Sequence, residues 1–195
     1  MRGAQFERTT KETAAQVRLS LDGRGRCTVE TGVGFLDHML THIATHGLFD
    51  LELKLQGDLE VDVHHSVEDA ALVLGEAFDR ALGERRGISR IGSAFAPMDD
   101  SLAFVAVDLS GRAYSVVQVG WHTQQVGGLP TSLIPHFFDS FANRARANVH
   151  VRLLYSLDDH HAAEALFKAF GRALDAASRI DPRRAGEIPS PKGVI

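Results

Sequence analysis

The chain has 195 residues, 44% hydrophobic and 24% charged, a balance ordinary for a soluble globular protein of one domain or two small packed halves. A net charge of -4 gives no electrostatic case for nucleic-acid or membrane binding, and a single cysteine, Cys27, leaves no intramolecular disulfide and no thiolate metal cluster. No apolar run approaches the roughly 18 residues of a membrane span, and the polar start "MRGAQFERTTKETAAQ" lacks an apolar signal core, so the expected setting is the cytoplasm.

From the N-terminus, "VRLSL" (17–21) reads as a strand ending in a turn at Asp22-Gly23. "GFLDHMLTHIATHG" (34–47) spaces Leu36, Met39, Leu40 and Ile43 along one helix face, with Gly47 expected to close the helix. "LELKL" (51–55) alternates as a half-covered strand should. "VDVHHSVEDA" (61–70) opens a helix with Val67, Ala71, Leu74, Phe78 and Ala81 on its core face, expected to stop near Gly87. "RRGISRIG" (85–92) marks a boundary. Beyond it, "LAFVAVDL" (102–109) and "YSVVQV" (114–119) read as strands, the first ending in a turn at Ser110-Gly111. "LIPHFFDSFANRA" (133–145) is a second amphipathic helix and "VHVRL" (149–153) a further strand. "DDHHAAEALFKAF" (158–170) opens a last helix, expected to stop before Asp181-Pro182.

The second set repeats the first. His64, His65 and Glu68 become His160, His161 and Glu164 under a shift of 96, and the core face follows as Ala163, Phe167, Phe170, Leu174 and Ala177. Under a shift of 98, Leu36, Met39, Leu40 and Ile43 become Ile134, Phe137, Phe138 and Phe141, and His38 becomes His136. The pattern predicts an α+β chain, one domain over 1–195, duplicated from two sheet-plus-two-helix halves of about 1–88 and 89–195.

The repeats offer eight ligand-type residues in two sets: His38, His64, His65 and Glu68 against His136, His160, His161 and Glu164. A glutamate three or four residues after a histidine shares its helix face, so one histidine of each doublet can chelate with the glutamate while the other points away to a second ion. Two metals with about four protein ligands each follow. Imidazole with carboxylate suits Mn, Fe, Zn, Co or Ni, and four ligands on an ion preferring six leave positions for substrate. His42 and His46 continue from His38 along one face, but their counterparts Ser140 and Arg144 cannot ligate. His46 reads as an acid/base candidate, and His42, His122 and His150 as surface or structural residues.

The doublets, the "FLDHML" and "HFF" helices and the length resemble the imidazoleglycerol-phosphate dehydratase family, from "RTTKET" to "IPSPKGV". The resemblance implies a lyase of histidine biosynthesis that removes water from imidazole glycerol phosphate to give imidazole acetol phosphate. It implies two Mn(II) ions per active site, halves of the ribosomal-protein S5 second-domain type, and a homo-oligomeric shell of 24 subunits with sites between them. His38, His64, His65, Glu68, His136, His160, His161 and Glu164 fall on the family's metal positions. Glu12, His46, Arg90, Arg112, Lys168, Ser190 and Lys192 fall on its substrate positions. Ser156 stands where Gly is usual, and Pro191 where Ser or Thr is usual.

The chemistry fits such a site. The proton to be lost is not acidic, so the expected route passes through an imidazolate stabilised by two metals, which expels the hydroxyl and acidifies the neighbouring C–H. Glu12, His46 and Glu164 are candidates for proton transfer, and Arg90, Arg112, Lys168 and Lys192 for phosphate neutralisation. Rival readings are a metal sensor or storage protein, and a dinuclear hydrolase of a small phosphate ester.

Overall fold

In a computed structural model, which describes residues 2–184 and 186–195, one chain order of strands and helices occurs twice. The first half runs β1 (Gly3–Thr9), β2 (Thr13–Ser20), β3 (Cys27–Glu30), α1 (Gly34–Gly47), β4 (Asp50–Gly57) and α2 (His64–Leu82). The second runs β5 (Ile91–Met98), β6 (Ser101–Asp108) and β7 (Tyr114–Gln118), then a small hairpin of β8 (Gln125–Val126) and β9 (Leu129–Pro130). It continues with α3 (Leu133–Ala145), β10 (Asn148–Tyr155), α4 (Asp159–Ser178) and a 3-10 turn at Pro182–Arg184.

The sheet orders are β1-β2-β4-β3 and β5-β6-β10-β7, with β3 parallel to β4 and β7 parallel to β10. The duplicated α+β architecture predicted from the sequence is therefore present, with the β8–β9 hairpin as the insertion peculiar to the second half. Each sheet is covered on one face: α2 lies over β1 and β2, and α4 over β5 and β6. The remaining helices cross between halves. α1 packs along α4, and α3 packs along α2. Four helices thus lie between two sheets, around one connected apolar core.

The predicted helix faces are the buried ones, from Leu36, Met39, Leu40 and Ile43 to Phe167, Phe170 and Leu174. Aromatic rings knit the crossings: Phe138 meets Phe170 at 5.1 Å, Phe141 meets Phe170 at 5.0 Å, and Phe78 meets Phe141 at 5.4 Å, all edge-on. Such pairs contribute about 0.5–1.5 kcal/mol each beyond the area they bury.

Two expected helix ends move. The left-handed cap of α1 is Leu48, with φ 56, and not Gly47. Gly47 is helical and small because α4 passes it: a Cβ there would lie 2.9 Å from the Gly171 carbonyl oxygen. α2 stops at Leu82, short of Gly87, because Gly83 turns the chain at φ 54 and its N–H returns to the Asp79 and Arg80 carbonyls. The chain then buries Arg85, whose guanidinium donates to the Ala145 and Arg146 carbonyls at the end of α3 and to Asp79.

Three strands of the sheets lie outside the predicted set: β1, β3 and β5. The inward face of β5 carries Gly92, Ala94 and Ala96, small because the α4 backbone comes close, while its large apolar residues Ile91 and Phe95 point outward at 66% and 59% exposure.

Candidate metal centre

The cross-half packing brings the chelating groups together. Under the α1–α4 crossing, His38 meets His160 and Glu164; under the α2–α3 crossing, His64 and Glu68 meet His136. In each trio the ligand atoms lie within 4.8 Å of one another. Both spacings place a histidine near the face of its glutamate, but it is His64 and His160, four residues before it, that join the trios, while His65 and His161 bond Asp58 and Asp100. The paired rings lie 6.1 Å and 6.2 Å apart, tilted by 79° and 85°.

The α1–α4 trio is centred on Glu164, which is 7% exposed. Its Oε1 lies 3.0 Å from His38 Nε2 and 3.1 Å from His160 Nε2, and Lys168 Nζ donates to Oε2 at 2.6 Å. Burial pushes the Glu164 carboxyl up, but the Lys168 ammonium and the His38 ring outweigh it and hold it at about 2. It is an anion at neutral pH and a donor suited to a divalent cation. The α2–α3 trio is looser, with His136 Nε2 3.8 Å from Glu68 Oε1 and the His64 and His136 rings 4.7 Å apart. His136 Nε2 is buried and, among the described residues, has no hydrogen-bond partner, so it is free to serve as a ligand in the trio. An imidazole–carboxylate set with such an unpartnered nitrogen fits a divalent first-row transition ion.

His65 and His161 each offer Nδ1 to a carboxylate: Asp58 at 3.0 Å and Asp100 at 2.7 Å. Those hydrogen bonds raise both imidazoles above their ordinary range. Neither aspartate carried a signal in the sequence, since Asp100 lies on a turn far from the doublet it serves. Glu12, on the β1–β2 turn, stands 3.8 Å from His65 Nε2.

His42 is misplaced by its reading as a surface residue. Its side chain is 15% exposed, its Nε2 lies 3.3 Å from both His38 Nε2 and Glu164 Oε2, and burial lowers it to about 4. The ring faces α4 because α1 runs along that helix. His46 continues the row, its ring 5.6 Å from that of His42, and burial with the Lys168 and Arg172 charges keeps it below the ordinary imidazole range. His150 is exposed on β10, as expected, and His122 is held in a loop, its N–H donating to Asp159 at 3.0 Å.

One chain does not gather the remaining substrate candidates. Lys168 Nζ reaches Met98 Sδ at the end of β5, while Arg90 precedes its start and pairs with Asp108 at 2.7 Å and the Pro189 carbonyl at 2.8 Å. Arg90 N–H donates to the Ala177 carbonyl at 2.8 Å, nine residues and about 14 Å further along α4 than Lys168. Ser190 and Lys192 share the tail that Arg90 holds, and the tail ends with Ile195 against Gly111, beside Arg112. Pro191 sits inside a tight turn in which Lys192 N–H donates to Ser190 Oγ at 3.2 Å. Ser156 is built into its loop, bonding Ser101 Oγ and the Asp158 carbonyl, each at 2.8 Å.

A family model described as imidazoleglycerol-phosphate dehydratase matches residues 31–174. A protein of that name from Chloroflexus aurantiacus is 56% identical over 195 residues, covering all of this chain and 95% of the relative. Another from Roseiflexus sp. is 57% identical over 194 residues, covering all of this chain and 98% of the relative. Among solved structures, the dehydratase from Pyrococcus furiosus is 36% identical with a TM-score of 0.83, covering 97% of this chain and 100% of that one. The Staphylococcus aureus enzyme is 35% identical with a TM-score of 0.82, covering 91% and 98%.

Proposed function

The chain belongs to the imidazoleglycerol-phosphate dehydratase family, hydro-lyases of histidine biosynthesis, and from that premise we propose a dimanganese elimination of water from imidazole glycerol phosphate, giving imidazole acetol phosphate. The observation that carries the reading is the pair of equivalent trios, His38–His160–Glu164 and His64–Glu68–His136. His65 and His161 would add a fourth ligand to each ion, and Mn(II) held there would supply Lewis acidity at the two ring nitrogens, favouring the imidazolate.

The chain's own groups divide the remaining work. Lys168 keeps Glu164 ionised, so Glu164 enters as a donor able to accept a proton once substrate displaces a contact. His46, neutral at pH 7, and Glu12, exposed beside His65, are the other groups placed to move protons to the leaving hydroxyl and from carbon. Arg90, Arg112, Ser190 and Lys192 form the phosphate-binding end.

That end sits beside the C-terminal end of α4, about 20 Å along the helix from Glu164 of the chain's own trio, and His65 and His161 face away from theirs. Both features support a homo-oligomer, of 24 subunits by the family pattern, in which neighbouring copies complete each site. The outer face of the second sheet, with Ile91, Phe95 and Tyr114 at 66%, 59% and 63% exposure, supports burial against other copies. On this reading 1–195 is one catalytic domain with halves of about 1–88 and 89–195, working in the cytoplasm; among the described residues, no helix is long and apolar enough to cross a membrane.

The test is an assay of Mn-loaded protein with imidazole glycerol phosphate, read as the appearance of an enolisable ketone. Phosphate release without ketone would favour a hydrolase, and metal uptake without turnover a sensor or store.

A further inference from the structure

The second histidines of the doublets are oriented by carboxylates that come from different places in the two halves. Asp100 immediately precedes β6, the position Glu12 holds before β2. Asp58 immediately follows β4, the position Ser156 holds after β10. The first half therefore orients His65 from the strand exit, by Asp58 at 3.0 Å, and the second orients His161 from the strand hairpin, by Asp100 at 2.7 Å. Where the strand-exit carboxylate is missing, Ser156 Oγ is turned to Ser101 and Asp158 instead. Asp100 is itself held, its Oδ2 accepting the Leu157 N–H at 2.8 Å. On the opposite ring nitrogens the carboxylates stand beyond hydrogen-bond reach, Glu12 at 3.8 Å from His65 Nε2 and Asp99 at 3.7 Å from His161 Nε2.

We propose that Asp58 and Asp100 are positioning residues that fix the Nδ1–H tautomer of His65 and His161 and so present each Nε2 lone pair to a metal ion. The proposal rests on the two-metal reading above. A neutral imidazole carries one N–H, and a carboxylate at Nδ1 keeps it there, leaving Nε2 as the only lone pair. The same bond fixes the ring plane and raises the basicity of the ligating nitrogen, and its loss weakens metal binding about 10–100-fold. Moving the carboxylate from one loop to the other between halves preserves the one thing both loops must deliver, an acceptor at Nδ1.

The experiment is a Mn(II) titration of the whole assembled protein, following the free aqueous ion by electron paramagnetic resonance. Wild-type protein that fails to take up two ions per chain would end the two-metal reading itself, separately from this inference. Given two ions in wild type, D58A and D100A should each weaken one of them about 10–100-fold. D100N, whose amide oxygen still accepts from Nδ1–H, should keep more affinity than D100A. S156D in the D100A background should restore binding, because it places a carboxylate where the first half has Asp58. Wild-type affinity in both alanine variants would overturn the inference. So would a loss in D100A that neither D100N nor S156D repairs, since that marks a residue holding the fold.

Discussion

Gly75 and Gly171 are one position seen twice: a Cβ on either would come 2.7 Å from a carbonyl oxygen of the crossing helix, Phe141 for Gly75 and Ile43 for Gly171. Those carbonyls are themselves equivalent in the duplication, so both crossings are set by the same backbone contact. The glycines lie on α2 and α4, whose first turns carry the chelating His and Glu. Helix separation at the glycines therefore sets how close His136 comes to Glu68, and His38 to Glu164.

Alanine at either glycine should push its helix pair apart. Overpacking of this kind costs about 1–3 kcal/mol, and Gly171→Ala should lower the thermal midpoint of metal-free protein accordingly. It should also weaken the ion of the α1–α4 trio more than that of the α2–α3 trio. Equal loss at both trios, measured by Mn(II) titration, would detach the crossing distance from the site.

Glu164→Gln should abolish most turnover while far-ultraviolet circular dichroism and assembly mass stay as in wild type. The amide keeps the volume but removes the charge that His38, His160 and Lys168 surround. Near-wild-type turnover would remove Glu164 from the chemistry.

Chelation followed by gel filtration should leave protein without ketone-forming activity, and Mn(II) should restore it at two ions per chain. A plateau at one ion per chain by elemental analysis would sink the paired-site reading.

Much of this was legible in the sequence because duplication turns a weak pattern into a repeated one. A lone His38 on an apolar helix means little; with His136 at the matching place, and both doublets in step, the ligand types stand out. Helix faces were readable for the same reason that they are buried, a wide apolar stripe at helical spacing. β5 was not, because its small residues face the helix and Ile91 and Phe95 face out, the reverse of the usual alternation. His42 was misread because an i+4 histidine looks the same on a solvent face as on a helix crossing. Asp100 carried no local signal, since its partner lies 61 residues away and only the folded hairpin joins them.

Acid should loosen the insertion peculiar to the second half through Asp159, next to the doublet. Its carboxylate, on a residue 6% exposed, accepts the N–H of His122 at 3.0 Å, the N–H of Thr123 at 2.7 Å and the Thr123 hydroxyl at 2.6 Å. Burial pushes this carboxyl up, but the Thr123 and His122 hydrogen bonds bring it below the ordinary 3.8. A carboxyl depressed in the folded state contributes stability fully above its unfolded value, and loses it as pH falls through the folded one. The contribution should therefore hold above about pH 4 and fade below it. Asp159→Asn should remove it at every pH, since an amide presents one acceptor and an unwanted donor to three donors, at a cost of about 1–3 kcal/mol. The readout is amide hydrogen exchange at His122 and Thr123. In wild type their protection should drop on acidification below about pH 4, and in D159N it should be low throughout and nearly flat across that range. Protection in D159N that follows the wild-type curve would show that Asp159 does not hold this loop to α4.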